Sequence, residues 1–197
     1  IASVEVKEES GQNLALVSRG AGVTVSSTHL GHGMDRFTQE MLWPIQYDLG
    51  FKWSRVGYTM MSVFSWSYVE QEKGTLRVDP RADAAITEAA DNGVNVIMTL
   101  DQGNWLYAPE VPKKARRELL ETYYELPPAP TVAPDYLQGY LNYVRYMVRH
   151  FKDRVKYYEI WNEWNGSAEE YARLAKAAIP VIREEYPQAK IMAMSTG

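Results

Sequence analysis

The chain has 197 residues, 46% of them hydrophobic, with 21 basic and 25 acidic side chains and a formal charge of −4. That is enough apolar material for one sizeable core, and the acidic balance offers no positive surface to a phosphate backbone, so nucleic acid is excluded as an expected partner. No stretch approaches the roughly 20 consecutive apolar residues of a membrane span, and the lack of cysteine excludes disulfides and thiolate metal sites while saying little about compartment.

The opening IASVEVKEES has neither an initiator Met nor an apolar signal region, which predicts a processed, cut or engineered start. Residues 1–20 alternate weakly around an SGQN turn and are expected to form a short β segment, either an edge hairpin or a remnant of a neighbouring domain. The main domain is expected over 21–197. AGVTVSST (21–28) reads as its first strand, and Phe37, Met41, Ile45 and Leu49 give helical spacing over 36–49, kinked at Pro44 and stopped by Gly50. FKWSRV (51–56) is the second strand. Asp79 followed by Pro80 is an N-cap with a favoured first-turn proline, predicting a helix from Pro80 to Asn92 that ends at Gly93.

VNVIMTL (94–100) is a continuous apolar run suited to a strand buried on both faces. Leu137, Tyr140, Leu141, Val144, Met147, Val148 and Phe151 recur at three- and four-residue steps and mark a long amphipathic helix. VKYYEIW (155–161) is a fourth strand. Ser167 with Glu170 forms a capping box for a helix through Tyr186, and KIMAMS (190–195) is a fifth strand.

Strands alternating with helices imply a parallel sheet and the α/β class, as a doubly wound sheet or a barrel. No GxGxxG or GxxxxGK[ST] follows any strand, which removes the nucleotide-binding reason for the doubly wound form. In a parallel barrel the reactive groups gather at the carboxyl ends of the strands. Those ends carry His29 and His32, Arg55, then Asp101, Asn104 and Trp105, and finally Trp161, Asn162 and Glu163.

EIWNEWN (159–165) resembles the fourth-strand motif of the clan A retaining glycoside hydrolases, in which an Asn-Glu pair ends the strand. FKWSRVG (51–57) resembles their second-strand segment with an active-site Arg, and WSYVEQEKGTLRVD (66–79) resembles the W-x-x-x-E-P-x-x-G stretch before the second helix. Within the clan the chain most resembles glycoside hydrolase family 39. The resemblance covers about residues 21–197 and implies a (β/α)8 TIM barrel of which this chain supplies the first five strand-helix units.

It further implies a carbohydrate substrate, no metal or organic cofactor, and a retaining double displacement with Glu163 as general acid/base. Asn162 would bond the sugar hydroxyl beside the reacting carbon, and Arg55 would support the nucleophile. That nucleophile, a Glu at the end of the family's seventh strand, has no counterpart in this sequence. Trp164 stands where the family has Pro and is expected to reshape the leaving-group side of the cleft. Gln71 replaces a second Pro and is expected to loosen a turn. A Glu flanked by Trp161 and Trp164 is expected to be partly desolvated, as an acid requires, while a cation such as Arg55 keeps a neighbouring carboxylate ionised.

The remaining residues read two ways. Trp105 and Trp161 either line a sugar site or fill the core, and Asn104 is a candidate sugar ligand. His32, in HLGH (29–32), is a sugar contact, a loop residue or half of a metal pair, though metal sites need three or four ligands. His150 is expected as a surface cation at a helix end. Residues 101–134 form a proline-rich connection, expected to wall the cleft and to hold a short helix near 112–125 whose KKARR run is a solvated face. Two alternatives to an enzyme stand beside this reading: a carbohydrate-binding remnant, and a half-barrel that self-associates or needs the missing C-terminal part of the barrel.

Overall fold

A computed structural model describes residues 52–57, 62–108, 130, 134–164 and 166–193. The β segment of 1–20, the first strand and helix, and the short helix near 112–125 lie outside them. The described elements run β1 (Trp53–Val56), α1 (Trp66–Val69), α2 (Pro80–Asp91), β2 (Asn95–Leu100), α3 (Pro134–Phe151), β3 (Tyr157–Ile160), α4 (Ala168–Glu185) and β4 (Lys190–Met192). The four strands pair in chain order and all in parallel, with Arg55 opposite Ile97, Thr99 opposite Glu159, and Glu159 opposite Met192. They are the second to fifth strands expected from the sequence. The four-residue α1 is too short to show a hydrophobic period, and the sequence gives no sign of it.

Strand alternation divides the sheet into two faces. Ser54, Val56, Val96, Met98, Leu100, Tyr158 and Ile160 are buried, and the apolar ones share one core with Ile86 of α2, Val144 and Val148 of α3, and Leu174 and Ile182 of α4. The opposite parity carries Arg55, Ile97, Thr99, Tyr157 and Glu159, most of them half-buried. The inner face is therefore the polar one.

Local chemistry sets the helices. The Asp79 carboxylate accepts the Arg81 N–H at 2.8 Å ahead of Pro80, and α2 buries Ala82, Ile86 and Ala89 before the chain turns at Gly93, whose φ is +69°. In α4 the capping box is complete: Ser167 Oγ accepts the Glu170 N–H at 3.2 Å and Glu170 Oε2 accepts the Ser167 N–H at 3.0 Å. Pro180 sits inside that helix on its exposed side. No helix among the described residues is long and apolar enough to cross a membrane.

Helix α3 is fastened at several points. Tyr140 and Tyr143 donate to the carbonyls of Leu100 and Phe64, each at 2.7 Å, and Tyr136 Oη accepts the Asn104 N–H at 3.0 Å. His150, expected as a surface cation at a helix end, faces the Asp83 carboxylate at 2.5 Å beside Arg154. Glu185 of α4 accepts from Arg145 at 2.9 Å and from Arg149 at 2.7 and 2.9 Å.

Two expected outcomes follow. Gly57 has φ +89°, and a Cβ there would lie 2.3 Å from the backbone oxygen of Thr99. Gly57→Ala combines left-handed strain with a clash against β2 and should cost about 2–4 kcal/mol in urea unfolding. The Glu185 carboxyl is held down from 4.5 to about 2, first by the Arg149 hydrogen bonds and then by Arg145. A depressed carboxylate stabilises the fold above its ordinary value, and that contribution is lost as pH falls from about 4.5 towards 2. Thermal melts of Glu185→Gln across this window should show a flatter acid limb than the parent chain.

Candidate active site at the strand carboxyl ends

Arg55 leaves β1 on the inner face and reaches β3. Its Nε donates to Glu159 Oε2 at 2.7 Å, its Nη2 lies 2.7 Å from the same oxygen, and Nη2 also donates to Asn162 Oδ1 at 2.7 Å. Thr99 Oγ1, from the strand between them, donates to Glu159 Oε2 at 2.6 Å. The Arg55 and Glu159 side chains are only 18% and 12% exposed, so each charge has given up most of its water and is compensated by the other.

Glu159 was missed as a site residue by sequence reasoning. A signal existed: strand alternation puts it on the same face as Tyr157, and a charge in a half-buried strand requires a partner. Arg55, two strands away across β2, is that cation.

Beyond β2 the chain buries Asp101 completely. Its Oδ2 accepts from Gln102 Nε2 at 2.9 Å and its Oδ1 accepts the Asn162 backbone N–H at 3.2 Å. Burial pushes its pKa up to about 7, against the opposing hydrogen bonds from Gln102 and Asn162 and the Arg55 charge. The Trp161 N–H donates to the Leu100 carbonyl at 3.2 Å and extends the ladder by one bond.

Here the backbone turns. Gln102, Trp161 and Glu163 have φ of 68°, 67° and 45°, a left-handed conformation that non-glycine residues rarely adopt. The turn directs Asn162 back to Arg55. Glu163 is exposed and has no hydrogen-bond partner among the described residues.

The structure thus brings Arg55, Asn162 and Glu163 together at one rim, as the sequence motifs imply, and corrects several other expectations. Glu163 is not desolvated by its tryptophan neighbours: Trp161 and Trp164 are each 8% exposed and pack on one another with ring centroids 5.4 Å apart. Trp161 also packs against Tyr140. Trp164 Nε1 donates to the Ser167 carbonyl at 3.0 Å and closes the loop into α4.

Asn104 is fully buried, and its amide is committed to the protein. Nδ2 donates to the Glu70 carbonyl at 2.9 Å and the Trp66 carbonyl at 3.4 Å, while Oδ1 accepts the Leu106 N–H at 2.9 Å. It is a loop clamp, because a buried amide satisfies its polar atoms before it can offer them to a ligand. Trp105, 8% exposed, belongs to the same packed loop. His32 and His29 lie outside the described residues, as does most of the connection expected to wall the cleft.

The W-x-x-x-E stretch also acquires a physical cause. Buried Glu70 accepts from Trp66 Nε1 at 2.5 Å, the Gly74 N–H at 2.6 Å and Tyr107 Oη at 2.6 Å. With a further Thr75 N–H to Glu72 carbonyl bond at 2.9 Å, the turn stays closed although Gln71 replaces Pro.

No family model matches the chain, and no curated protein matches it. Solved structures do. A family 39 glycoside hydrolase from the gut symbiont Bacteroides cellulosilyticus WH2 matches 76% of this chain over 27% of its own, at 20% identity and a TM-score of 0.59. Xylanase B from Clostridium stercorarium F9 matches 90% of this chain over 53% of its own, at 17% identity and a TM-score of 0.56. The Pseudomonas stutzeri endoglucanase Cel5A matches 76% over 40%, at 21% identity and a TM-score of 0.52. The chain thus spans between about a quarter and half of the length of these structures. What it shares with them is the fold: its parallel strands and packed helices are part of a (β/α)8 barrel.

Proposed function

We propose that the chain is part of a retaining glycoside hydrolase in which Glu163 is the general acid/base. The observation that carries this reading is the Arg55–Asn162–Glu163 arrangement: a guanidinium from one strand orients an amide on the next tip but one, and the adjoining carboxyl stands exposed at the rim.

Glycosidic cleavage needs one carboxyl to protonate the leaving oxygen and a second, about 5–5.5 Å away in retaining enzymes, to attack the anomeric carbon. In this reading Glu163 gives its proton to the departing oxygen and later takes one from the water that releases the glycosyl intermediate. In the same reading the attacking carboxylate is a second Glu, the one the resemblance puts at the end of the family's seventh strand. A sugar ring seated over the tip would take the Glu163 carboxyl out of water, the condition an acid requires. Arg55, its charge compensated by Glu159, fixes Asn162.

The carbohydrate-binding remnant is less well supported. Such a protein would need an exposed aromatic floor, and Trp105, Trp161 and Trp164 are each only 8% exposed.

The test is steady-state and burst kinetics of Glu163→Gln in the full-length protein, on aryl glycosides with leaving groups of graded acidity. Turnover of substrates with poor leaving groups should fall by about 10²–10⁴-fold. Glycosylation by strongly activated aryl glycosides should be spared. Unchanged hydrolysis of both classes would refute the assignment.

A further inference from the structure

We propose that Asp101 is the positioning residue of the catalytic tip: its buried carboxylate receives the Asn162 backbone N–H and so fixes the turn on which Glu163 stands. The catalytic consequence rests on the glycosidase reading above, whereas the contact rests on geometry alone.

Asp101 is completely buried, so no substrate reaches it and it is not itself a catalytic group. Its carboxyl lies at the junction of four elements. Gln102 Nε2 holds Oδ2 at 2.9 Å from its own loop, and the Asn162 N–H meets Oδ1 at 3.2 Å from the β3 tip. The Asp101 carbonyl accepts the Trp66 N–H of α1 at 3.4 Å. The charged and titratable groups facing it are Arg55 from β1 and Tyr140 and Tyr143 from α3. Arg55 in turn holds the Asn162 side chain, so that residue is gripped through backbone and amide by groups from different strands.

The need for such a grip follows from the backbone. Left-handed Trp161 turns the chain out of the ladder after a single further bond, and Glu163 is left-handed as well. A strained turn of this kind persists only where its surroundings over-determine it. The Asn162 N–H, turned inward at that point, requires an acceptor, and an apolar side chain at position 101 would leave it orphaned.

Burial brings the Asp101 pKa to about 7, so the carboxyl changes charge near neutrality and the N–H bonded to it must report the change. The experiment follows the Asn162 amide by ¹⁵N–¹H correlation spectra of the chain across neutral pH, in the parent and in Asp101→Asn. The parent amide should shift with a midpoint near 7, and the variant should lose that titration. A pH-invariant Asn162 amide in the parent, or the same titration in the variant, overturns the proposal; the parent measurement needs no variant to fold.

A second arm measures hydrolysis of aryl glycosides by the full-length protein, where Asp101→Ala, which removes the acceptor, should lower kcat by about tenfold or more with KM little changed, and Asp101→Asn, which keeps an Oδ1 acceptor for the Asn162 N–H, should recover most of that loss. Unchanged kcat in Asp101→Ala overturns the positioning role. Absence of hydrolysis in the full-length parent would sink the glycosidase reading, and the amide titration would still decide whether Asp101 holds the tip.

Discussion

The organisation of the inner face depends on the Arg55 guanidinium. Neighbouring strands lie about 4.8 Å apart, so β1 and β3 are separated by about 10 Å across β2. Two long side chains close that gap to a 2.7 Å contact, one that a concave inner face favours. Once Arg55 and Glu159 have surrendered their water, each requires the other, because a single half-buried charge left unpaired costs more than the pair contributes. Thr99 donates to the same carboxylate oxygen, and Nη2 of the guanidinium also donates to Asn162. One ion pair thus sets both the packing between strands and the orientation of an amide at the rim.

The loops above the strands are held from the outside, by aromatic residues. The sequence is 12% aromatic, with 14 tyrosines, which suits either sugar stacking or packing. In the described residues packing dominates. Three tyrosines of α3 bond the backbone of the loops that follow β1 and β2 and of the last residue of β2, and burial pushes each of their pKa values up. Tyr107 reaches Glu70, which also gathers Trp66 and the Gly74 turn. A tyrosine is well suited to this work, since it fills the core with its ring and satisfies a loop carbonyl or N–H with its hydroxyl.

What was legible in the sequence was local. Asp79 with Pro80 and Ser167 with Glu170 announce helix starts because capping is settled within four residues, and the apolar runs at 94–100 and 155–161 announce buried strands for a similar reason. Arg55, Asn162 and Glu163 were legible as strand-end residues through motif resemblance. The Arg55–Glu159 pair was not, because its members lie 104 residues apart and no local pattern names a partner at that distance. Asn104 was misread for a related reason: a loop position says little about which way a side chain turns, and only the Glu70 and Trp66 carbonyls decide it. The tryptophans at 161 and 164 were read as neighbours in sequence, whereas their burial depends on Tyr140 and Tyr171 from two different helices.

The tip of β3 also separates the groups that hold the turn from the carboxyl the turn displays. Residues 102, 161 and 163 are left-handed, and such conformations cost about 1–3 kcal/mol each for non-glycine residues. That strain is offset by contacts that its described neighbours Trp161, Asn162 and Trp164 make. Trp161 is bonded to Leu100 and packed on Tyr140, Asn162 is held by Asp101 and Arg55, and Trp164 is tied to Ser167. Glu163 takes no part in this network among the described residues. Its side chain is therefore dispensable to the turn that displays it. That separation is what a proton-transferring group needs, because a carboxyl that also carried the turn would disturb its own support each time it gave up or took a proton.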